Sequence, residues 1–269
     1  MSEIWLHRGL PFWIVLTLLG LSLGSFLNVV IYRLPLGLSL WRPRSQCPHC
    51  RSPIAARDNI PLLSYLVLRG RCRHCRARIR PRYPAVELAA ALCVLVSVLV
   101  SPGPAAAAAR ATFLLALVAV TLIDLEHRII PDEISLPGIA LGLIVCPLLN
   151  VPRLDALIGA LVGFGGLLAI AAAYRAVRGV PGMGGGDIKL AGMLGAFLGW
   201  KGVLMATIAG SLIGALVGIA LLVTRRGTGK TALPFGSFLA PAAGLVLLVG
   251  PRLWAWYAGL IYPARLGSW

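Results

Sequence analysis

Apolar residues are grouped along this chain in eight runs, at about 10–32, 85–100, 107–124, 134–149, 156–174, 187–200, 202–223 and 236–250. Most come close to the ~20 residues that carry a helix across a bilayer, so they predict transmembrane helices. The run at 187–200 is the shortest and is rich in glycine. Joints between runs are short, as antiparallel helix neighbours require. Only one polar stretch is long, Arg33 to Tyr83, and it separates the first run from the second. The tract Pro104 to Ala109 reads as a low-complexity external turn. The expected fold is an all-α polytopic membrane protein of about eight transmembrane helices, with a small cytoplasmic module between helices 1 and 2. The expected divisions are 1–32 for the first span, 33–84 for that module and 85–269 for the remaining membrane-embedded part.

Composition sharpens this picture. Charged residues make up 13% of the chain, half the roughly 25% of a soluble domain, and mean hydropathy is +0.87. A soluble enzyme is thereby excluded. The net charge of +16 would suit nucleic acid or anionic lipid, but insertion into a membrane also collects Lys and Arg on cytoplasmic loops. We therefore expect the lipid bilayer as a partner and no nucleic acid. A secretory signal is the rival reading of the first run, with Ser22-Leu23-Gly24 imitating a cleavage site. Its flanks argue for a retained span: Arg8 precedes the run, whereas Arg33, Arg42, Arg44 and many more follow. With both termini outside, 19 Lys and Arg fall on the inner side and six outside, namely Arg8, Arg110, Arg153, Lys201, Arg252 and Arg265. Trp5, Trp200, Trp254, Trp256 and Tyr257 then lie near outer boundaries, where amphipathic rings serve as interfacial anchors.

Cys47, Cys50, Cys72 and Cys75 form two C-x2-C pairs within the polar stretch. Four thiolates in two close pairs suit a tetrahedral zinc ion, and a site of four sulfurs has no open position, so the metal would be structural. Two disulfides or redox-active pairs are the alternative, disfavoured by a reducing cytoplasm. So polar a stretch buries little apolar surface, and its fold would depend on the metal. Cys93 and Cys146 fall inside spans and read as small buried apolar residues.

Acid is scarce, with nine Asp and Glu in the chain, and a carboxylate at the edge of a membrane span is costly. Asp124 closes the third run and Asp187 opens the sixth, both at the predicted cytoplasmic edge. Helix capping or simple exposure to water would account for either alone. Together with Gly184, Gly185 and Gly186 they suggest hydrolysis. Glycine permits positive φ and close backbone approach, so this stretch can lie beside an extended peptide and offer it hydrogen bonds. Two carboxyl groups sharing a proton can activate a water.

These residues resemble the prepilin peptidases, GxGD-type aspartic proteases of pilus and type II secretion systems. Gly184-Gly185-Gly186-Asp187 with the following Ile-Lys-Leu is similar to their GxGD motif, and Asp124 with Ile130-Pro131-Asp132 to their first-aspartate motif. Gly24 to Pro35, the two C-x2-C pairs, Asp58 to Pro61, Arg82-Tyr83-Pro84 with Glu87, and Pro234-Phe235-Gly236 are similar too, so the likeness covers about 20–245. Asp58 stands where glutamate is often found. The resemblance implies cleavage of the basic leader of type IV prepilins or pseudopilins at the cytoplasmic face of the bacterial inner membrane. It further implies N-methylation of the new amino terminus with S-adenosylmethionine. Asp124 and Asp187 would be the catalytic pair, and the cysteine module would go with the methyl-transfer form of the family. No Rossmann-type Gly-rich unit marks a methyl-donor site.

Helix dipoles predict an asymmetry: Asp124 at a helix C-terminus would be the protonated partner and Asp187 at an N-terminus the ionised base. Lys189 is expected to face lipid or snorkel. A transporter using the two aspartates as an ion relay, or a scaffold docking through its Arg-rich loop, are the rival readings. The transporter leaves the cysteines and the glycines unexplained.

Overall fold

The computed structural model describes Trp5, residues 8–224 and residues 233–261. Among the described residues every long element is helical: α1 (Leu10–Arg33), α2 (Leu63–Val67), α3 (Arg82–Val100), α4 (Pro104–His127), α5 (Asp132–Val145), α6 (Arg153–Arg178), α7 (Gly185–Val223) and α8 (Gly236–Ile261). All but the five-residue α2 are long and apolar enough to cross a membrane, counting α5 with the turn that follows it, which makes seven such elements. The chain falls into two compact units, Met1–Ile123 and Asp124–Trp269.

In the first unit, α1 and α3 pack antiparallel along a stripe of small residues spaced one turn apart. A Cβ on Gly20 would stand 2.6 Å from the Ala91 Cα, and one on Gly24 2.6 Å from the Glu87 Cα. Small residues at i and i+4 let two backbones close to that range in lipid, where packing rather than water drives association. One turn on, the Asn28 amide donates to the Tyr83 carbonyl at 3.0 Å and continues the stripe. At the other end of this pair Trp5 is buried, its Nε1 donating to the Ser101 carbonyl at 2.9 Å. It is a core residue rather than the interfacial anchor expected. Arg110 is buried as well, its guanidinium on the Ser101 hydroxyl at 2.8 Å.

The tract Pro104 to Ala109 is not a turn. It forms the first turns of α4, with Ala106, Ala107 and Ala109 buried. Alanine has the highest helix propensity of all residues, and proline is at home in a first turn, so low complexity here means helix.

In the second unit α7 holds the two short runs that the sequence separates. Its 39 residues carry one non-helical position, Gly199, at φ 72° and ψ 176°. The chain reverses there. Cβ positions built on Gly163 of α6 meet both Ala191 and Val203, which a straight helix would hold about 18 Å apart. The first limb, 185–198, lies against α6 through Gly195 and Gly159, and against α5, where Gly138 meets Met193 and Gly142 meets Ala196. The second limb runs antiparallel to α8, with Gly210 against Leu239 and Gly218 against Leu233. Two apolar limbs joined by one left-handed glycine are the sixth and seventh predicted spans. The hairpin brings the start of α7 and the start of α8 to the same end of the unit.

Candidate active site

Asp124 lies in the last turn of α4 and is 4% exposed. The turn closes at Arg128, whose amide reaches the Asp124 carbonyl at 2.9 Å and whose φ is +55°. From there the chain passes through buried Ile130 and Pro131 into α5. Asp187 occupies the third position of α7, after the N-cap Gly184. It does not cap the helix itself. Its carboxylate turns back beside the Gly184 backbone, with Oδ2 3.4 Å from where a Cβ on Gly184 would stand, the place taken by the third residue of a capping box.

Both carboxyl groups line one cavity of about 290 Å³, together with Arg128, Ile129, Ile130, Asp132, Gly184, Gly185 and Gly186. The first residues of α8 complete the arrangement. Ser237 donates its amide to Asp124 Oδ2 at 2.6 Å, and the neighbouring Gly236 amide faces the Asp187 carboxyl group. Two successive amides of one helix N-terminus thus serve the pair. Gly236 is at this point by necessity: a Cβ there would stand 2.7 Å from Ile130 Cδ1 and 3.0 Å from Asp124 Oδ2. The Ser237 hydroxyl, donating to the Pro234 carbonyl at 2.7 Å, ties the entry of the helix.

This helix alters the electrostatics expected from α4 and α7 alone. An N-terminal dipole and its free amides favour negative charge, and those of α8 serve Asp124 as well as Asp187. The dipoles of α4 and α7, on which the expected division into an ionised Asp187 and a protonated Asp124 rests, are therefore not the whole of the field at the pair. The glycines also behave differently from expectation. None of Gly184, Gly185 and Gly186 has a positive φ: Gly184 is extended, at φ −73° and ψ 146°, and the other two begin the helix. Gly186 is required by Ile130, whose Cβ would lie 2.9 Å from an added Cβ, while Gly185 faces open space. Lys189 has a partner that the sequence did not suggest. Its ammonium contacts both oxygens of Asp132 at 2.7 and 2.8 Å, tying the start of α7 to that of α5.

Gly236, Ser237 and Arg128 stand at the site without a role expected from the sequence. A glycine directly after Pro-Phe at the start of an apolar run was the available signal for the first two.

The four cysteines form a separate centre in the first unit. Two knuckles repeat one pattern. The Cys47 amide donates to Ser52 and Arg51 to Cys47, at 3.0 and 2.9 Å, just as Cys72 donates to Ala77 and Arg76 to Cys72 at 2.9 and 3.0 Å. Arg51 and Arg76 take left-handed conformations, with φ of 56° and 58°, at matching places. All four Sγ atoms lie within 4.8 Å of one another, and Cys47 and Cys75 are 3.8 Å apart. A tetrahedral ion with metal–sulfur bonds of about 2.3 Å has sulfur–sulfur edges of about 3.8 Å, so the cluster fits a metal ion. Hydrogen bonds from Ser52 draw the Cys50 thiol down to about 6. Cys75, despite a hydrogen bond from Ala77 acting the other way, is pushed up to about 11 by desolvation and the neighbouring sulfurs. Arg73 pairs with Asp58 through Nε and Nη2 at 2.6–3.1 Å and holds its carboxyl below the usual range. The departure from glutamate at this position keeps a partner.

Comparison with known proteins places the chain among relatives along nearly its whole length. Residues 18–101 match the Bacterial Peptidase A24 N-terminal domain and residues 111–219 the Type IV leader peptidase family. The chain is 41% identical to a prepilin leader peptidase/N-methyltransferase of Aeromonas hydrophila, over 94% of this chain and 96% of the relative. It is 41% identical to one of Pseudomonas putida, over 89% and 91%, and 39% identical to one of Pseudomonas aeruginosa, over 91% and 92%. No solved structure matches.

Proposed function

We propose, for a chain that belongs to the type IV leader peptidase family, that it hydrolyses the leader from prepilins or pseudopilins with Asp124 and Asp187 as the catalytic pair. The observation that carries this is the presence of both carboxyl groups on one cavity at the N-terminus of α8, whose Ser237 amide binds Asp124. A water between the carboxyls loses a proton to the ionised one and attacks the scissile carbonyl carbon, while the protonated one donates to the carbonyl oxygen. Collapse of the tetrahedral intermediate breaks the C–N bond, and the proton first taken from water passes to the leaving amine. Amides that already point at the carboxyl groups need no reorganisation during this transfer. The extended Gly184 and the open face of Gly185 give the substrate backbone a place beside Asp187.

The names of the relatives support methylation of the new amino terminus as a second activity, with S-adenosylmethionine as donor. No residue is assigned to that donor. We further propose zinc as the ion of Cys47, Cys50, Cys72 and Cys75, where it would organise the module and take no part in hydrolysis. The module at 33–84 would then serve methyl transfer, and the aspartate-bearing part at 85–269 cleavage. The bias of 19 inner against six outer cations supports a bacterial inner-membrane protein with both termini outside and the aspartates at the cytoplasmic face.

Incubation of the protein in lipid nanodiscs with one prepilin, read by mass spectrometry, tests this reading. Asp124→Asn and Asp187→Asn should each abolish release of the leader. Cleavage by either variant at the wild-type rate would refute the assignment.

A further inference from the structure

Arg33 ends α1, and its guanidinium turns to the chain that follows. Nη1 donates to the carbonyls of Ser39 and Leu40 at 2.9 and 3.4 Å, and Nη2 to that of Pro43 at 2.7 Å. The loop is thereby folded back along the helix, and the Trp41 ring comes 6.2 Å from that of Phe26. Phe26 lies seven residues before the helix end, a distance of about 10 Å. It is an exposed residue of a membrane span, off the Gly20, Gly24 and Asn28 stripe that packs on α3. Trp41 itself is 81% exposed, and Leu36 and Leu38 beside it are exposed too.

A second apolar edge reaches the same depth by another route. The Leu62 amide donates to Glu87 Oε2 at 2.8 Å, five residues or about 8 Å inside α3. This places α2 beside a membrane-embedded turn, with Leu66 70% and Val67 67% exposed. Gly24 lies against Glu87, and Phe26 follows Gly24 by two residues, so the two attachment points differ in depth by about 3 Å. Between Gly37 and Pro81 the chain carries ten arginines and one acidic residue, Asp58, which Arg73 already occupies. Arg42 and Arg44 flank the Trp41 edge, Arg69 and Arg71 follow α2, and all four are exposed.

Apolar side chains at one level with a rim of arginine are what an interface of acyl chains and anionic headgroups selects. We propose that the tetra-cysteine module is seated in the headgroup layer of an anionic bilayer, with the Trp41 loop and α2 inserted at the acyl boundary and Arg42, Arg44, Arg69 and Arg71 on lipid phosphates. The proposal stands independently of the catalytic reading.

Full-length protein in nanodiscs tests it. The emission of wild type minus that of Trp41→Phe isolates Trp41, with metal content checked to be equal in both. Phospholipids brominated near the headgroup should remove most of the Trp41 emission, and aqueous iodide little. On the unmodified protein, exchanging phosphatidylcholine for phosphatidylglycerol should slow amide hydrogen exchange several-fold at 39–44 and 62–71. Quenching by iodide but not by bromolipid would overturn the proposal. So would exchange that is indifferent to lipid charge, or discs that hold two chains with these segments protected in either lipid, which would make a second copy the occupant.

Discussion

Gly236→Ala probes the contact on which the site is built. The added methyl would lie 3.0 Å from Asp124 Oδ2 and 2.7 Å from Ile130 Cδ1, closer than carbon packs without displacement. Ile130 is buried and hemmed by Gly186, so the carboxyl group is the part that yields, and its 2.6 Å bond from Ser237 lengthens. A hydrogen bond to a charged group contributes ~1.5–3 kcal/mol. Losing it in the transition state lowers the rate roughly 10- to 150-fold. Substrate binding along Gly184 and Gly185 is untouched, so the loss should fall on kcat and leave KM within a few-fold. Initial rates on a synthetic prepilin in nanodiscs measure this. Crowding costs about 1–3 kcal/mol of stability, so the thermal midpoint is recorded alongside. Gly165→Ala, a helix-interior change into open space on α6, controls for methyl addition as such. A folded Gly236→Ala protein with wild-type kcat would refute a positioning role for the α8 amides.

Three other outcomes follow from the same structure. Chelation, or Cys72→Ser, should release the metal ion and bring hydrogen exchange across 45–79 to the rate of an unstructured chain, because binding of about 10–16 kcal/mol is the folding energy of such modules; cleavage should fall less than methylation. Gly199→Ala forces a side chain into φ 72° and should cost about 1–3 kcal/mol, read as a lower thermal midpoint with the peptidase still active below it. Asp58 is held low by Arg73, so its contribution is present above about pH 3.9 and is lost as pH falls through its depressed value. Asp58→Asn should therefore speed exchange around 57–74 at pH 7, and the difference should shrink as pH falls through that depressed value.

The membrane spans were legible because hydropathy is a local property, and both C-x2-C pairs because metal ligands come at fixed spacing. The reversal at Gly199 was legible only as a weak joint between two runs, since both limbs have the same apolar composition and nothing but φ marks the turn. Pro104 to Ala109 was misread because repetition of alanine suggested low complexity where propensity says helix. The largest omissions are pairings distant in sequence. Lys189 finds Asp132 57 residues away, and Ser237 finds Asp124 across 113. No periodicity records such contacts. The α8 amides, which add a field that the predicted asymmetry of the two aspartates left out, belong to this class. Their one trace in the sequence is a glycine where a side chain would strike the carboxyl group.

A double-mutant cycle on leader release tests most directly whether Asp124 and Asp187 act on one water. Groups that work as a unit lose nearly everything with the first removal. Asp124→Asn, Asp187→Asn and the double variant, compared with wild type in single-turnover assays, should therefore all fall to the same residual rate. Single losses that multiply in the double variant, or a single variant that still cuts, would contradict a shared site.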